Sequence, residues 1–180
     1  MKRWYRRGIA VLGLALLIGV PGSLSSQTAP AARSSDVESI DAIMTAVYDV
    51  ISGPAGQERD WDRFRSLFRD GAQLIPTGRD STGTVVLNRM TVPDYAERAG
   101  QFLVQRGFFE REIHRVTEQF GNIAHAFSTY ESRWNADDPE PFVRGINSFQ
   151  LLFDGTRWWV VNIYWGDERG GHQIPAKYLN

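Results

Sequence analysis

From Phe108 to Trp134 the chain reads FFEREIHRVTEQF, then GN, then IAHAFSTYESRW. After a connection from Asp137 to Pro141 it resumes as FVRGINSFQLLF, DG and TRWWVVNIYW, ending at Trp165. The period along these runs is two, and aromatic and β-branched residues are frequent. Phe108–Phe120, Ile123–Trp134, Phe142–Phe153 and Arg157–Trp165 therefore predict four long strands. Gly121-Asn122 and Asp154-Gly155 are hairpin signals between them. The segment is an antiparallel meander.

Upstream the period is 3.6. Ser35 with Glu38 predicts a capping box, and Ile40, Ile43, Met44, Val47, Tyr48 and Ile51 recur on one helical face. Gly53-Pro54 ends that helix. Asp60 is placed to cap a second, short helix carrying Trp61, Phe64, Leu67 and Phe68, closed by Gly71. Ala72–Pro76 and Thr84–Met90 predict short strands around a turn-rich stretch. Thr91 and Asp94 form a second capping box for a helix through Tyr95, Ala99, Phe102 and Leu103 to Gly107. Three helices followed by a long meander define an α+β domain, not a doubly wound parallel sheet. One strongly curved antiparallel sheet wrapped over the helices satisfies this order.

Residues 1–32 are expected to be an export signal and its flank, leaving 33–180 as one domain. Lys2, Arg3, Arg6 and Arg7 precede an apolar run of 13 residues, Gly8–Val20, and Pro21-Gly22-Ser23 breaks it. A stable bilayer-spanning helix needs about 20 residues, so membrane contact is expected only before cleavage, after Ser25 or Ala31. The domain is then periplasmic or secreted. There is no cysteine, which excludes disulfides, thiolate metal ligands and a lipid-carrying cysteine. The four signal cations leave 16 of the 20 basic side chains against 21 acidic ones, a net charge of −5. Without a basic run to follow phosphates, nucleic acid is not an expected partner.

The helix ending in Tyr48, Trp61-Asp62-Arg63-Phe64, Leu67-Phe68-Arg69-Asp70-Gly71-Ala72 and Asp154-Gly155-Thr156-Arg157-Trp158-Trp159-Val160-Val161 together carry a resemblance. Across Asp36 to Trp165 the chain resembles the nuclear transport factor 2-like superfamily, which includes SnoaL-like polyketide cyclases and ketosteroid isomerases. The resemblance implies a cone with a pocket between sheet and helices. It implies no particular reaction, because the superfamily includes enzymes, binders and scaffolds. Tyr48 matches the isomerases' helix-one tyrosine. Their catalytic aspartate precedes a proline, whereas here Ile75 precedes Pro76 and cannot accept a proton.

With Gly121-Asn122 as a two-residue turn, Glu112 is expected opposite Glu131, His114 opposite Thr129, and Glu118 opposite His125. His114 and His125 would lie about 13 Å apart, too far to share an ion. His114, Glu112 and Glu131 are then the candidate catalytic residues, as an acid/base set or a two-carboxylate, one-histidine cation site. A solvated face with Arg111 and Arg133 neutralising the acids is the plain alternative. A two-residue turn at Asp154-Gly155 would align Asn147 with Asn162 and Gly145 with Tyr164. Tyr48, Trp61, Thr129, Asn147, Asn162 and Tyr164 are the expected pocket residues, suited to a mostly apolar ligand with a few orienting polar groups. The last strand reads as apolar on both faces: Trp158 and Val160 on one, Trp159, Val161, Ile163 and Trp165 on the other. A homodimer through the sheet is the economical cover for the second face, and the C-terminal tail is the alternative.

No nucleophile elbow, phosphate loop, dinucleotide fingerprint or close metal-ligand spacing is present, so no cofactor is expected. The expected function is exported small-molecule binding in the cone. A cofactor-independent acid/base enzyme, doing a cyclisation, dehydration or isomerisation, and a structural dimer with a filled cone are the alternatives.

Overall fold

A computed structural model describes residues 31–179 of the chain. The expected export signal falls almost wholly outside the described residues.

The first helical segment is two helices, α1 (Ser34–Val37) and α2 (Ile40–Ile51). Ser39 separates them: its backbone is extended, and its hydroxyl accepts from the Ala42 amide at 3.0 Å. The cap is therefore Ser39, and the expected box at Ser35 and Glu38 does not form, since α1 has no side-chain cap. Helix α2 buries Ile43, Met44, Val47, Tyr48 and Ile51, the face its period predicted. Helix α3 (Trp61–Ser66) is capped by Asp60, which accepts from the Arg63 amide at 2.8 Å.

Strand β1 (Phe68–Arg79) begins earlier than expected, so Gly71 does not close a helix. It sits at φ 80, where the register shifts between Phe68 and Gln73. Strands β2 (Val85–Leu87) and β3 (Met90–Thr91) follow, then α4 (Val92–Arg106) with the expected Thr91–Asp94 box. The meander is β4 (Phe109–Phe120), β5 (Ile123–Arg133), β6 (Val143–Phe153) and β7 (Trp158–Asp167). Two short 3₁₀ turns, Glu168–Gly170 and Ala176–Tyr178, complete the tail.

The strands form one sheet in the order β2-β1-β7-β6-β5-β4, with β3 also on β1. Every pairing is antiparallel except β1 with β7, which runs parallel with Leu74 beside Ile163. The sheet is thus mixed. The long excursion through α4 and the meander supplies the crossover a parallel pair requires. Helix α2 packs on β4 and β7, and α4 on β1, so the helices occupy the inner face of a curved, unclosed sheet. This is an α+β fold.

Two side chains pin the helices. Arg59 is buried and donates to the carbonyls of Ile51 at 2.9 Å, Gly53 at 2.6 Å and Leu103 at 3.2 Å. It thereby caps the C-terminal ends of α2 and α4, where a cation also meets the negative ends of both helix dipoles. Arg63 donates to both carboxylate oxygens of Asp36, at 2.8 and 3.0 Å, tying α3 to α1.

Two bulges set which side chains enter the cone. On β4, Glu112 faces Tyr130 and His114 faces Thr129, so Ile113 is the extra residue. On β7, Val160 faces Leu151 and Asn162 faces Gln150, so Val161 is extra. The second bulge moves Ile163 and Trp165 to the same face as Trp158 and Val160. It leaves Trp159, Val161, Asn162 and Tyr164 outside. The last strand is therefore not apolar on both faces in the way its sequence suggested.

Candidate functional site

The first hairpin turns as expected, with Phe120 opposite Ile123, Glu118 opposite His125 and His114 opposite Thr129. Beyond Ile113 the register changes. Arg111, not Glu112, stands opposite Glu131, and the expected carboxylate pair does not form. Glu131 lies on the outer face and accepts from Arg111 at 2.5 Å and from Arg133. Burial alone would raise the Glu131 carboxyl, but these two guanidinium groups outweigh it and hold it below its ordinary value. His114 and Thr129 are also outside. The Thr129 hydroxyl donates to the Tyr178 carbonyl at 2.7 Å, and Tyr178 packs edge-on against Phe127 at 5.0 Å. The tail thus covers this part of the sheet. His114 Nε2 is buried there with no hydrogen-bond partner among the described residues.

Glu112 turns inward instead, beside Ser128 and Arg115. It ends a chain of hydrogen bonds that begins at Asn147. Asn147 Nδ2 donates to the Tyr48 hydroxyl at 3.1 Å, Tyr48 lies 2.7 Å from the Ser128 hydroxyl, and Ser128 donates to Glu112. With Glu112 ionised, every proton in the chain points toward it, so the Tyr48 hydroxyl proton is committed to Ser128. Burial, then the Glu110 charge, raises the Tyr48 phenol far above its ordinary value. Tyr48 is neutral and fully hydrogen-bonded.

The remaining expected pocket residues divide. Asn147 is inside. Asn162 and Tyr164 are on the outer face, opposite Gln150 and Ser148, because the turn after Phe153 has four residues and Val161 is a bulge. Asp154 accepts from the Thr156 and Arg157 amides, at 2.9 and 3.0 Å, which builds that longer turn. Trp61 packs edge-on against Phe64 at 5.4 Å and lies over Gly100 of α4, behind the cavity wall.

Inside the cone is a cavity of about 270 Å³ between α2, α4 and the inner sheet. Its walls are aromatic, including Phe64, Tyr95, Phe108, Phe149 and Trp165. One acid lies in this lining away from the mouth: Glu110. Its carboxylate accepts from Ser132 at 2.8 Å and, at the long limit of 3.5 Å, from Asn147. Burial raises Glu110 to about 7, and those two neutral donors only partly oppose the shift. Tyr95 and Tyr130 also line the cavity, and neither hydroxyl has a protein partner among the described residues. Burial, then Glu110, raises both phenols above the range in which they ionise in water. At the mouth Arg169 donates to Asp167 at 3.0 Å, so these two charges offset each other. A groove of about 720 Å³, lined by Ser52, Arg111, Glu112 and Asp138, opens on the far side of Glu110.

Glu110 and the two free phenols were not singled out from the sequence. The available signal was a carboxylate directly after Phe108 and Phe109, on a strand whose hairpin partner supplies Ser132. Among the described residues, no group of three His, Asp or Glu converges as a metal site.

No protein-family model and no curated protein sequence matches the chain. Solved structures do. A candidate calcium/calmodulin dependent protein kinase II association domain from Xanthomonas campestris aligns with a TM-score of 0.50 at 12% identity. That alignment covers 71% of this chain and 84% of the other. An NTF2-like protein of unknown function from Methylobacillus flagellatus gives a TM-score of 0.46 at 17% identity, covering 72% of this chain and 94% of that one. Another, from Silicibacter pomeroyi, gives 0.48 at 13% identity, covering 72% and 93%. At these identities the likeness concerns fold alone. The chain has the nuclear transport factor 2-like cone that its sequence resembles.

Proposed function

We propose that the cone binds a small, partly apolar molecule. The observation that carries this reading is the 270 Å³ cavity, walled by aromatic side chains yet holding Glu110 and two unpartnered phenols. Enclosing a carboxyl among aromatic walls disfavours its charged form, and a ligand that pairs with it and with the phenols offsets that cost. Native mass spectrometry of protein taken from the producing cell's envelope tests it. A retained small molecule, lost in a Val47→Trp variant that fills the cone, is the expected result. Wild type without adduct, and with no cone resonance shifted by any member of a fragment library, removes the reading.

A second reading makes the same cavity an acid/base site. Glu110 favours it, since a carboxyl at about 7 can both accept and return a proton near neutral pH. Tyr95 or Tyr130 would then stabilise developing negative charge on a substrate oxygen. The trio of His114, Glu112 and Glu131 that the sequence suggests serves this reading less well, because Glu112 faces into the cone and the other two face outward. A rate profile that loses its ionisation near pH 7 in Glu110→Gln is the expected outcome of kinetics on any substrate found.

We also propose export by the N-terminal signal and pairing of two copies through the outer face. Phe120, Ile123 and Tyr164 are 84%, 61% and 43% exposed on that face, more apolar surface than a solvated sheet usually presents. N-terminal sequencing of the mature protein and sedimentation velocity test the two proposals.

A further inference from the structure

Taking the cone as a ligand pocket, we propose that its ligand is a small organic cation, an amine or quaternary ammonium whose charged end sits beside Glu110 within the aromatic walls.

The charge balance points this way. Glu110 is held by a hydroxyl and a side-chain amide, and among the described residues no Lys, Arg or His lies within ion-pair distance of it. The nearby cations have their own partners: Arg111 and Arg133 hold Glu131, Arg115 holds Asp41 and Glu112, and Arg169 holds Asp167. A carboxylate buried without a counter-charge is unfavourable in the empty cone. A cationic ligand supplies the missing charge, whereas an anionic one would add a second unbalanced negative charge.

The walls suit the same ligand. Aromatic faces attract cations through their quadrupoles, most strongly where water is excluded. The rim already shows the interaction, since the Arg106 guanidinium lies 5.5 Å from the Trp134 ring centre and 6.0 Å from that of Phe102. Tyr95 and Tyr130 add phenol oxygens that accept from an N–H group. The cavity's volume limits the occupant to a small molecule.

The sign of the pH dependence follows from the groups that face Glu110. These are Tyr48 from α2, Tyr95 from α4, Tyr130 from β5, Glu112 on its own strand, and the Asp167–Arg169 pair at the mouth. The phenols stay neutral, and Asp167 and Arg169 are paired with each other at the mouth. Glu110 therefore dominates the titration, with Glu112, also raised by burial, displaced from it behind Ser128. A cation binds the ionised carboxylate, so its affinity rises with pH up to about pH 8 and falls below about pH 6.

Choline and its uncharged carbon isostere, 3,3-dimethylbutan-1-ol, are the probes, titrated by NMR at the cone resonances. Choline is expected to bind about tenfold or more tightly than the alcohol. Lowering the pH from about 8 to about 5.5 should weaken choline about tenfold and leave the alcohol unchanged. Glu110→Gln should bring the two probes to similar affinity. Equal affinity of the two in wild type overturns the cation inference but leaves the pocket standing. Failure of both to shift any cone resonance overturns the pocket as well. The comparison in wild type holds whether or not the variant folds.

Discussion

Tyr48 on α2 and Glu110 on β4 share one side-chain amide: Asn147 Nδ2 lies 3.1 Å from the Tyr48 hydroxyl and 3.5 Å from the Glu110 carboxylate. The amide has two protons, and each is directed at one partner. One leads into the chain through Ser128 to Glu112. The other leads to the cavity. Asn147 thereby divides the buried polar groups into a closed, fully bonded set and an open set that faces the ligand space.

Replacing Asn147 with Leu keeps the volume and removes both donors. The Tyr48 oxygen loses its donor and Glu110 retains only Ser132. The variant is expected to lose about 1–3 kcal/mol in urea unfolding, the cost of buried acceptors left unmet. The Glu110 carboxyl should titrate higher still, since the Asn147 bond acts to lower it. Unchanged stability would mean that water replaces the amide and the two sets are not coupled through it.

Glu110 also gives stability a pH dependence of defined sign. Its folded value of about 7 stands above the ordinary 4.5. Between those limits the folded chain holds a proton that the unfolded chain has released, so stability falls as pH rises from about 4.5 to about 7. A shift of that size corresponds to roughly 3–3.5 kcal/mol. Glu110→Gln removes this contribution and is expected to be the more stable protein at pH 8, with little difference at pH 4.5. Thermal unfolding of both proteins across that interval checks it. A saturating cationic ligand should reverse the trend in wild type.

Arg59 carries a third prediction. It is 6% exposed and among the described residues has no carboxylate partner, only carbonyls from the ends of α2 and α4 and the loop between α2 and α3. Arg59→Met keeps the aliphatic stem and loses every one of those bonds. Hydrogen bonds from a charged donor contribute about 1.5–3 kcal/mol each, and the loss here is expected to exceed about 3 kcal/mol because several carbonyls are orphaned together. Arg59→Lys should recover only part of it, since an ammonium cannot span the fork. Denaturant midpoints for the two variants give the comparison.

Much of the architecture was legible in the sequence, and the site was not. Strand existence followed from a period of two. The Phe120–Ile123 pairing followed from a turn whose Gly121 adopts φ 54. The Thr91–Asp94 box and the Asp60 cap rest on short-range chemistry that sequence displays directly. Site assignment depended on register far from the turns. A bulge at Ile113 or Val161 has no marker, for both are ordinary β-branched strand residues. Each reverses the facing of what lies beyond it: Glu112 and Glu110 turned inward, and Asn162 and Tyr164 turned outward. Asp154 misled by the same logic, because its side chain builds a four-residue turn where Asp-Gly suggests two.

Deleting Ile113 tests how much of the site rests on the bulge itself. Counting out from Phe120 and Ile123, His114 still meets Thr129, and Glu112, now its chain neighbour, still meets Tyr130. Arg111 then stays opposite Glu131 and Glu110 opposite Ser132, so the deletion makes the ladder regular and keeps every inward and outward placement beyond it. What it removes is the local bend and added twist that the extra residue gives the strand. The deletion is expected to cost about 1–3 kcal/mol in urea unfolding, with Glu110 still titrating above its ordinary value by NMR. Ile113→Ala, which keeps the extra residue and trims a part-exposed side chain, should stay within about 1 kcal/mol of wild type. A deletion variant whose Glu110 titrates as an ordinary carboxyl would mean that the bend, and not the count of residues in the strand, holds Glu110 inside the cone.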